Sequence, residues 1–251
     1  MEGKSINLGG LSVFYQTAGS GPVVLILHGW GGSSASWSKV QEALASEGFK
    51  TVCPDLPGFG RTKAPGKTWS LDDYAMFVLE FADSLSLDDF FLVGHSFGGR
   101  ISIKLSSIKP ERIKKMILCG SAGLKMEKDL KTRIVSNCVS FAKYSPFLKK
   151  LLKRPLYHFL GSRDYVRADE QMKKIMAFAI SEDLKPLLPL ISQETLLVWG
   201  DKDKLVPLKY ANVFKEKIKN SQLEVVKGAG HALNLERPLV LADKISSFLK
   251  K

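Results

Sequence analysis

Short runs of aliphatic and β-branched residues recur along the chain, each followed by a stretch with helical spacing, and this alternation restricts the fold more than any other feature. Residues 22–27 (Pro-Val-Val-Leu-Ile-Leu) lack any polar alternation, the pattern of a strand buried on both faces in a parallel sheet. Further strands are predicted at 51–53, 90–93, 115–119, 195–199 and 222–226, with helices at 35–47, 71–85, 98–107, 209–218 and 238–249. Ser70-x-x-Asp73 reads as a capping box opening the second helix, and Pro238 suits a first helical turn. Ahead of these, residues 5–8 and 12–17 alternate around Gly9-Gly10, the signature of a β-hairpin. The expected fold class is therefore α/β, a mostly parallel sheet with helices on both faces.

The alternation stops between residues 124 and 190. This segment shows no convincing strand, has helical spacing at 132–144 and 170–180, and carries Pro146, Pro155, Pro186 and Pro189. It reads as a helical insertion above the sheet, so the expected domains are a core of 1–123 plus 191–251 and a cap of 124–190. Composition matters here because the net charge of +12 is unevenly placed. The insertion holds 14 Lys plus Arg against seven Asp plus Glu, over half of the excess. No nucleic-acid motif accompanies that charge, which fits the solvated faces of the cap better than a nucleic-acid surface. The aliphatic run 23–27 is far shorter than a membrane span, and the opening MEGKSINLGG lacks a signal peptide's apolar stretch. Cys53, Cys119 and Cys138 show no metal-ligand spacing and cannot all pair. Free thiols and a cytoplasmic location are the expectation.

The strongest chemical signal is Gly94-His95-Ser96-Phe97-Gly98-Gly99, set between a predicted strand and a predicted helix. A serine on so sharp a turn needs small neighbours two residues away, and Gly94 and Gly98 supply them. The Phe97 amide then lies at a helix N-terminus, where developing negative charge is stabilised. G-x-S-x-G alone is common, and the strand–turn–helix context is what gives it weight. A serine hydroxyl needs a base and the base an orienting acid. Of four histidines, His28 ends the buried strand, His95 sits beside the serine and points away from it, and His158 lies in the basic insertion. His231, in the Gly-rich loop after the last strand, shares the sheet edge with Ser96, the edge at which open α/β sheets bind ligands. Asp201 and Asp203 both follow the strand before it and are both candidates for the acid, each equally suited to capping its own turn. The turn His28-Gly29-Trp30-Gly31-Gly32 offers a second oxyanion donor, the backbone amide of Trp30, with its indole lining the pocket.

These residues resemble the α/β-hydrolase fold superfamily, and within it the cap-bearing serine esterase-like hydrolases. The resemblance rests on His28-Gly29-Trp30-Gly31, Asp55-Leu56-Pro57-Gly58-Phe59-Gly60, the turn at Ser96, Gly200-x-x-Asp203-x-x-x-Pro207, and Gly230-His231 followed by Glu236-x-Pro238. Each is weak alone, but together and in this order they are specific. One departure is Arg61-Thr62 after Gly60, where relatives often carry a small residue. The resemblance implies an eight-stranded sheet, the insertion as a lid, Asp203 as the acid, and a Ser96–His231–Asp203 triad with oxyanion donors at Trp30 and Phe97. It implies hydrolysis of a carboxylic ester or lactone, a small-molecule substrate, and no metal or organic cofactor. The serine sets the chain apart from relatives with an aspartate or cysteine nucleophile. Carbon–carbon bond hydrolysis, acyl transfer (to peroxide included) and a triad-retaining small-molecule receptor are the alternatives the same resemblance implies.

Overall fold

The computed structural model describes residues 1–125 and 170–251. Eight strands form one sheet: β1 Glu2–Leu8, β2 Leu11–Ala18, β3 Val23–Leu27, β4 Lys50–Pro54, β5 Phe90–His95, β6 Ile113–Cys119, β7 Glu194–Gly200 and β8 Ser221–Val226. Their order is β1-β2-β4-β3-β5-β6-β7-β8. β2 runs antiparallel to both its neighbours, and every other pairing is parallel. The β1–β2 turn has positive φ at both Gly9 and Gly10, the conformation whose twist matches a two-residue hairpin.

Period-two alternation splits each central strand between two cores. Leu25, Leu27, Leu92, Met116, Leu118, Leu197 and Trp199 face one side. Val24, Ile26, Val93, Ile117, Cys119, Leu196 and Val198 face the other. Helices α1 (Ser38–Ser46) and α7 (Pro238–Leu249) cover the second side, using Val40, Leu44, Leu241, Ile245 and Phe248. Helices α2 (Leu71–Ser84), α3 (Phe97–Ile108) and α5 (Leu208–Lys217) cover the first. The capping box is present: the Asp73 amide donates to Ser70 Oγ at 3.2 Å and the Ser70 amide to Asp73 Oδ2 at 2.7 Å. The Ser70 hydroxyl, donating to Asp73 Oδ2 at 2.6 Å, and after it the Ser70 amide hold the Asp73 carboxyl below its usual range. The predicted helix at 35–47 divides, because a 3₁₀ turn over Ser34–Trp37 precedes α1. Cys53 and Cys119 are buried free thiols, and burial pushes both upward.

Helix α4 (Glu170–Ser181) realises the predicted helix at 170–180, and a 3₁₀ stretch over Lys185–Leu190 leads back to β7. The outgoing and returning chain are bonded to each other, the Leu184 amide to the Gly123 carbonyl at 2.8 Å and the Lys125 amide to Asp183 Oδ1 at 3.3 Å. Returning Glu182 also ties to α3, through its carbonyl to buried Arg100 and its carboxylate to Lys104. The predicted helix at 132–144, Cys138 and His158 lie outside the described residues. Among the described residues, no helix is long and apolar enough to cross a membrane. The short α6 (Leu233–Glu236) directly follows His231.

Candidate active site

The C-terminal ends of β3 to β8 bring the singled-out residues to one edge of the sheet, where open α/β sheets bind ligands. Ser96 stands between β5 and α3 with φ +51° and ψ −106°, a left-handed-side conformation that a non-glycine residue holds only when its surroundings compel it. The surroundings here are close backbone. A Cβ on Gly98 would lie 2.1 Å from the Leu27 carbonyl oxygen, and one on Gly94 2.7 Å from the Gly98 carbonyl oxygen. A Cβ on Gly99 would lie 2.1 Å from Ser121 Oγ. The start of α3 is thus pressed onto the ends of β3 and β6, and only glycines permit that approach. The Ser96 amide donates to the Cys119 carbonyl at 3.1 Å, and the Ser96 carbonyl accepts from Gly99, Arg100 and Ala122.

His231 Nδ1 lies 2.7 Å from Asp203 Oδ2. A carboxylate only accepts, so Nδ1 carries the proton and Nε2 is left as the basic nitrogen. The other oxygen, Asp203 Oδ1, accepts the amides of Leu205 at 2.9 Å and Val206 at 2.8 Å. The Trp199 indole closes the loop by donating to the Val206 carbonyl at 2.8 Å. The Asp203 side chain is fully buried, and that of His231 is 15% exposed. Asp201, the other candidate, instead accepts the Gly228 amide at 2.7 Å, an exposed turn-capping role. Gly200 lets the two loops cross, because a Cβ there would sit 2.3 Å from the Ala229 carbonyl oxygen.

The Trp30 turn, closed by the Gly32 amide on the Gly29 carbonyl, abuts the serine: a Cβ on Gly29 would lie 3.3 Å from Ser96 Cβ. As the first residue of α3, Phe97 has an amide without an intrahelical acceptor. The Trp30 ring packs edge-on against Phe59 at 4.8 Å and Phe97 at 5.2 Å, and Tyr74 meets Phe97 at 5.2 Å. His28 is buried and accepts the Leu56 amide on Nε2 at 3.0 Å, so its Nδ1–H donates to the Gly29 carbonyl. Burial holds it below its usual range. Asp55 joins the same two loops by accepting the Ser34 amide at 2.6 Å and the Arg61 amide at 2.7 Å. The Arg61-Thr62 departure also has a structural reason. Thr62 Oγ1 accepts the Phe14 amide of β2, and the Arg61 guanidinium lies 3.9 Å over the Phe14 ring.

Three residues to which the sequence assigned no role in the site belong to this edge. Gly120, at φ +46°, passes so close that a Cβ would lie 3.3 Å from both Asp203 Oδ2 and His231 Nδ1. Glu236 accepts the amides on both sides of His231, Gly230 at 2.6 Å and Ala232 at 3.3 Å. Met172 of α4 packs on Gly58, where a Cβ would approach its sulfur to 2.4 Å. Glu236 stood inside a recognised motif and Met172 among apolar residues at helical spacing in the insertion, whereas Gly120 had no local signal.

The comparisons agree with this architecture. A protein-family model for the alpha/beta hydrolase fold matches residues 22–142 and 141–238. The chain is 29% identical to 2-hydroxy-6-oxononadienedioate/2-hydroxy-6-oxononatrienedioate hydrolase 1 of Pseudomonas putida, covering 95% of this chain and 92% of that one. An esterase from Exiguobacterium antarcticum superposes over the whole of both chains with a TM-score of 0.79 and 26% identity. A membrane phospholipase A superposes with a TM-score of 0.81 and 26% identity, over 99% of this chain and 86% of that one. With a match over most of its length, and with the sheet order and loop crossings described above, the chain belongs to the α/β hydrolase fold family.

Proposed function

We propose that the protein is a serine hydrolase of carboxylic esters or lactones, with Ser96 as nucleophile, His231 as base and Asp203 as orienting acid. The observation that carries this reading is the His231 Nδ1–Asp203 Oδ2 bond of 2.7 Å, with the carboxylate wholly buried and its second oxygen satisfied by two amides. That arrangement fixes the imidazole tautomer a general base requires. Ser96 Oγ attacks the carbonyl carbon while His231 Nε2 takes the hydroxyl proton. The tetrahedral oxyanion is received by the amides of Trp30 and Phe97. The carbonyl–oxygen bond then breaks, and His231 returns the proton to the departing alcohol. Water repeats the cycle on the acyl-enzyme and releases the acid. Residues 124–190 form the cap in this reading, supported by Met172 packing on Gly58, beside the Phe59–Trp30 aromatic pair.

Ser96→Ala is expected to lower turnover of aryl esters by at least about 10³-fold and to abolish covalent labelling by a fluorophosphonate. Retention of either overturns the assignment. The Pseudomonas putida relative favours one second reading, hydrolysis of a carbon–carbon bond in a vinylogous diketone by the same residues. A panel of aryl esters, lactones and such a diketone separates the two by kcat/KM.

A further inference from the structure

His95 has no part in the proposed chemistry, yet it makes the longest-range side-chain contact to the base loop from the strand of the nucleophile. Its Nε2 lies 2.9 Å from the carbonyl oxygen of His231, across 136 positions of sequence. The two rings stand 4.9 Å apart. On its far side the His95 ring meets Trp37 at 6.2 Å, and Gly29 leaves it room, since a Cβ there would lie 2.7 Å from Nδ1. The ring is buried at 8% exposure and confined to this orientation.

We propose that His95 is a positioning residue, a strut whose Nε2–H holds the His231 carbonyl and so sets where the His231 imidazole stands relative to Ser96. The inference deepens the serine-hydrolase reading and rests on it. Its physical basis is the distance the sheet imposes. β8 is the third strand from β5, so the loop bearing His231 starts about 14 Å from the strand bearing Ser96, at a strand spacing near 4.8 Å. Positional error would otherwise accumulate through β6, β7 and their loops. His95 precedes Ser96 directly, so one rigid dipeptide carries both the nucleophile and the contact that registers its base. With Glu236 on the amides of Gly230 and Ala232, the strut pins the two peptide units 229–230 and 231–232 that flank His231.

The donor also suits its place by being neutral. Burial, reinforced by the nearby His231, lowers His95 to about 3. Its one proton must sit on Nε2, because a carbonyl only accepts. A cationic donor there would place a like charge 4.9 Å from the ring that must become cationic in the reaction, opposing that step.

The test compares His95→Gln, whose amide nitrogen falls near the position of Nε2, with His95→Asn, whose amide falls near Nδ1 and cannot reach the carbonyl. Expected for His95→Asn is a fall in kcat on an aryl ester of about 10- to 100-fold with KM within about twofold, the signature of a misplaced base. Backbone amide exchange at 230–232 should quicken in the same variant. His95→Gln should recover most of the turnover and the slow exchange. Equal kcat in the two variants, whether both intact or both impaired, overturns the strut, as does unchanged exchange in His95→Asn. If His95→Asn does not fold, His95→Phe replaces it in the same comparison. The exchange measurement needs no substrate, so a failed strut is distinguished from a failed hydrolase reading, which would show as retained turnover in Ser96→Ala.

Discussion

Asp201 and Asp203 stand two residues apart in one loop and have opposite environments. Asp203 is buried against His231 and two backbone amides, whereas Asp201 is exposed and holds one turn amide. Nothing in their local sequence separates them, because the difference is made by where the β8 loop lands, a tertiary fact. The family spacing implied Asp203, and the contact to His231 supports that assignment independently. Asp203→Asn is expected to lower kcat by about 10⁴-fold, because an amide in place of the carboxylate favours the wrong imidazole tautomer. Asp201→Asn retains an oxygen for the Gly228 amide and should leave kcat within about threefold of the parent. Steady-state kinetics on one ester decides it, and the reverse ranking would move the role to Asp201. Gly120 was illegible for the complementary reason. A glycine after a strand is an ordinary turn residue until the side chains that crowd it are known.

At the scale of elements, the hydrophobic pattern located every strand of the sheet: the central parallel strands, buried on two faces, as apolar runs, and β1 and β2 by alternation around Gly9-Gly10. Boundaries were less legible. β1 extends back to Glu2 through exposed residues that carry no apolar signal, and is held there by pairing with β2 rather than by burial. The crossing of the β7 and β8 loops was signalled only by the glycine that permits it. Gly200→Ala would force backbone against backbone, its Cβ meeting the carbonyl oxygens of Ala229 at 2.3 Å and Gly230 at 2.4 Å. The expected cost is about 1–3 kcal/mol in stability, typical of overpacking. Because the loops that part carry Asp203 and His231, kcat should fall about 10²-fold in the same variant. Calorimetry and kinetics together check this, and a stability loss with normal turnover would show that the crossing does not set the pair.

For the molecule as a whole, two histidines are kept neutral inside the fold. Burial lowers both His28 and His95, the latter to about 3. The unfolded chain protonates its histidines near pH 6.5, whereas the native chain does not, so below that value the unfolded state binds more protons. Their contribution is therefore favourable above about pH 6.5, and stability is progressively lost as pH falls from there towards about 3. His28 adds a specific reason, since a protonated Nε2 could no longer accept the Leu56 amide. The melting temperature should hold level near neutrality and decline below about pH 6.5, more shallowly in His95→Gln than in the parent. Parallel declines in the two proteins would remove His95 from the account.

The two bonds that join residues 123–125 to 183–184 have a consequence for how such a chain changes over generations. Because departing and returning segments are stitched at the rim, β6 and β7 receive the same two attachment points whatever lies between them. The entropy of closing the intervening chain grows only with the logarithm of its length, so insertions and deletions there are thermodynamically cheap. Inheritance can then act on two separate texts. One, carried by the strand ends, tolerates almost no rewriting because neighbouring backbone occupies every spare ångström. The other can be redrafted repeatedly to admit new molecules, except where α4 reaches the core through Met172, Ile175 and Ala179.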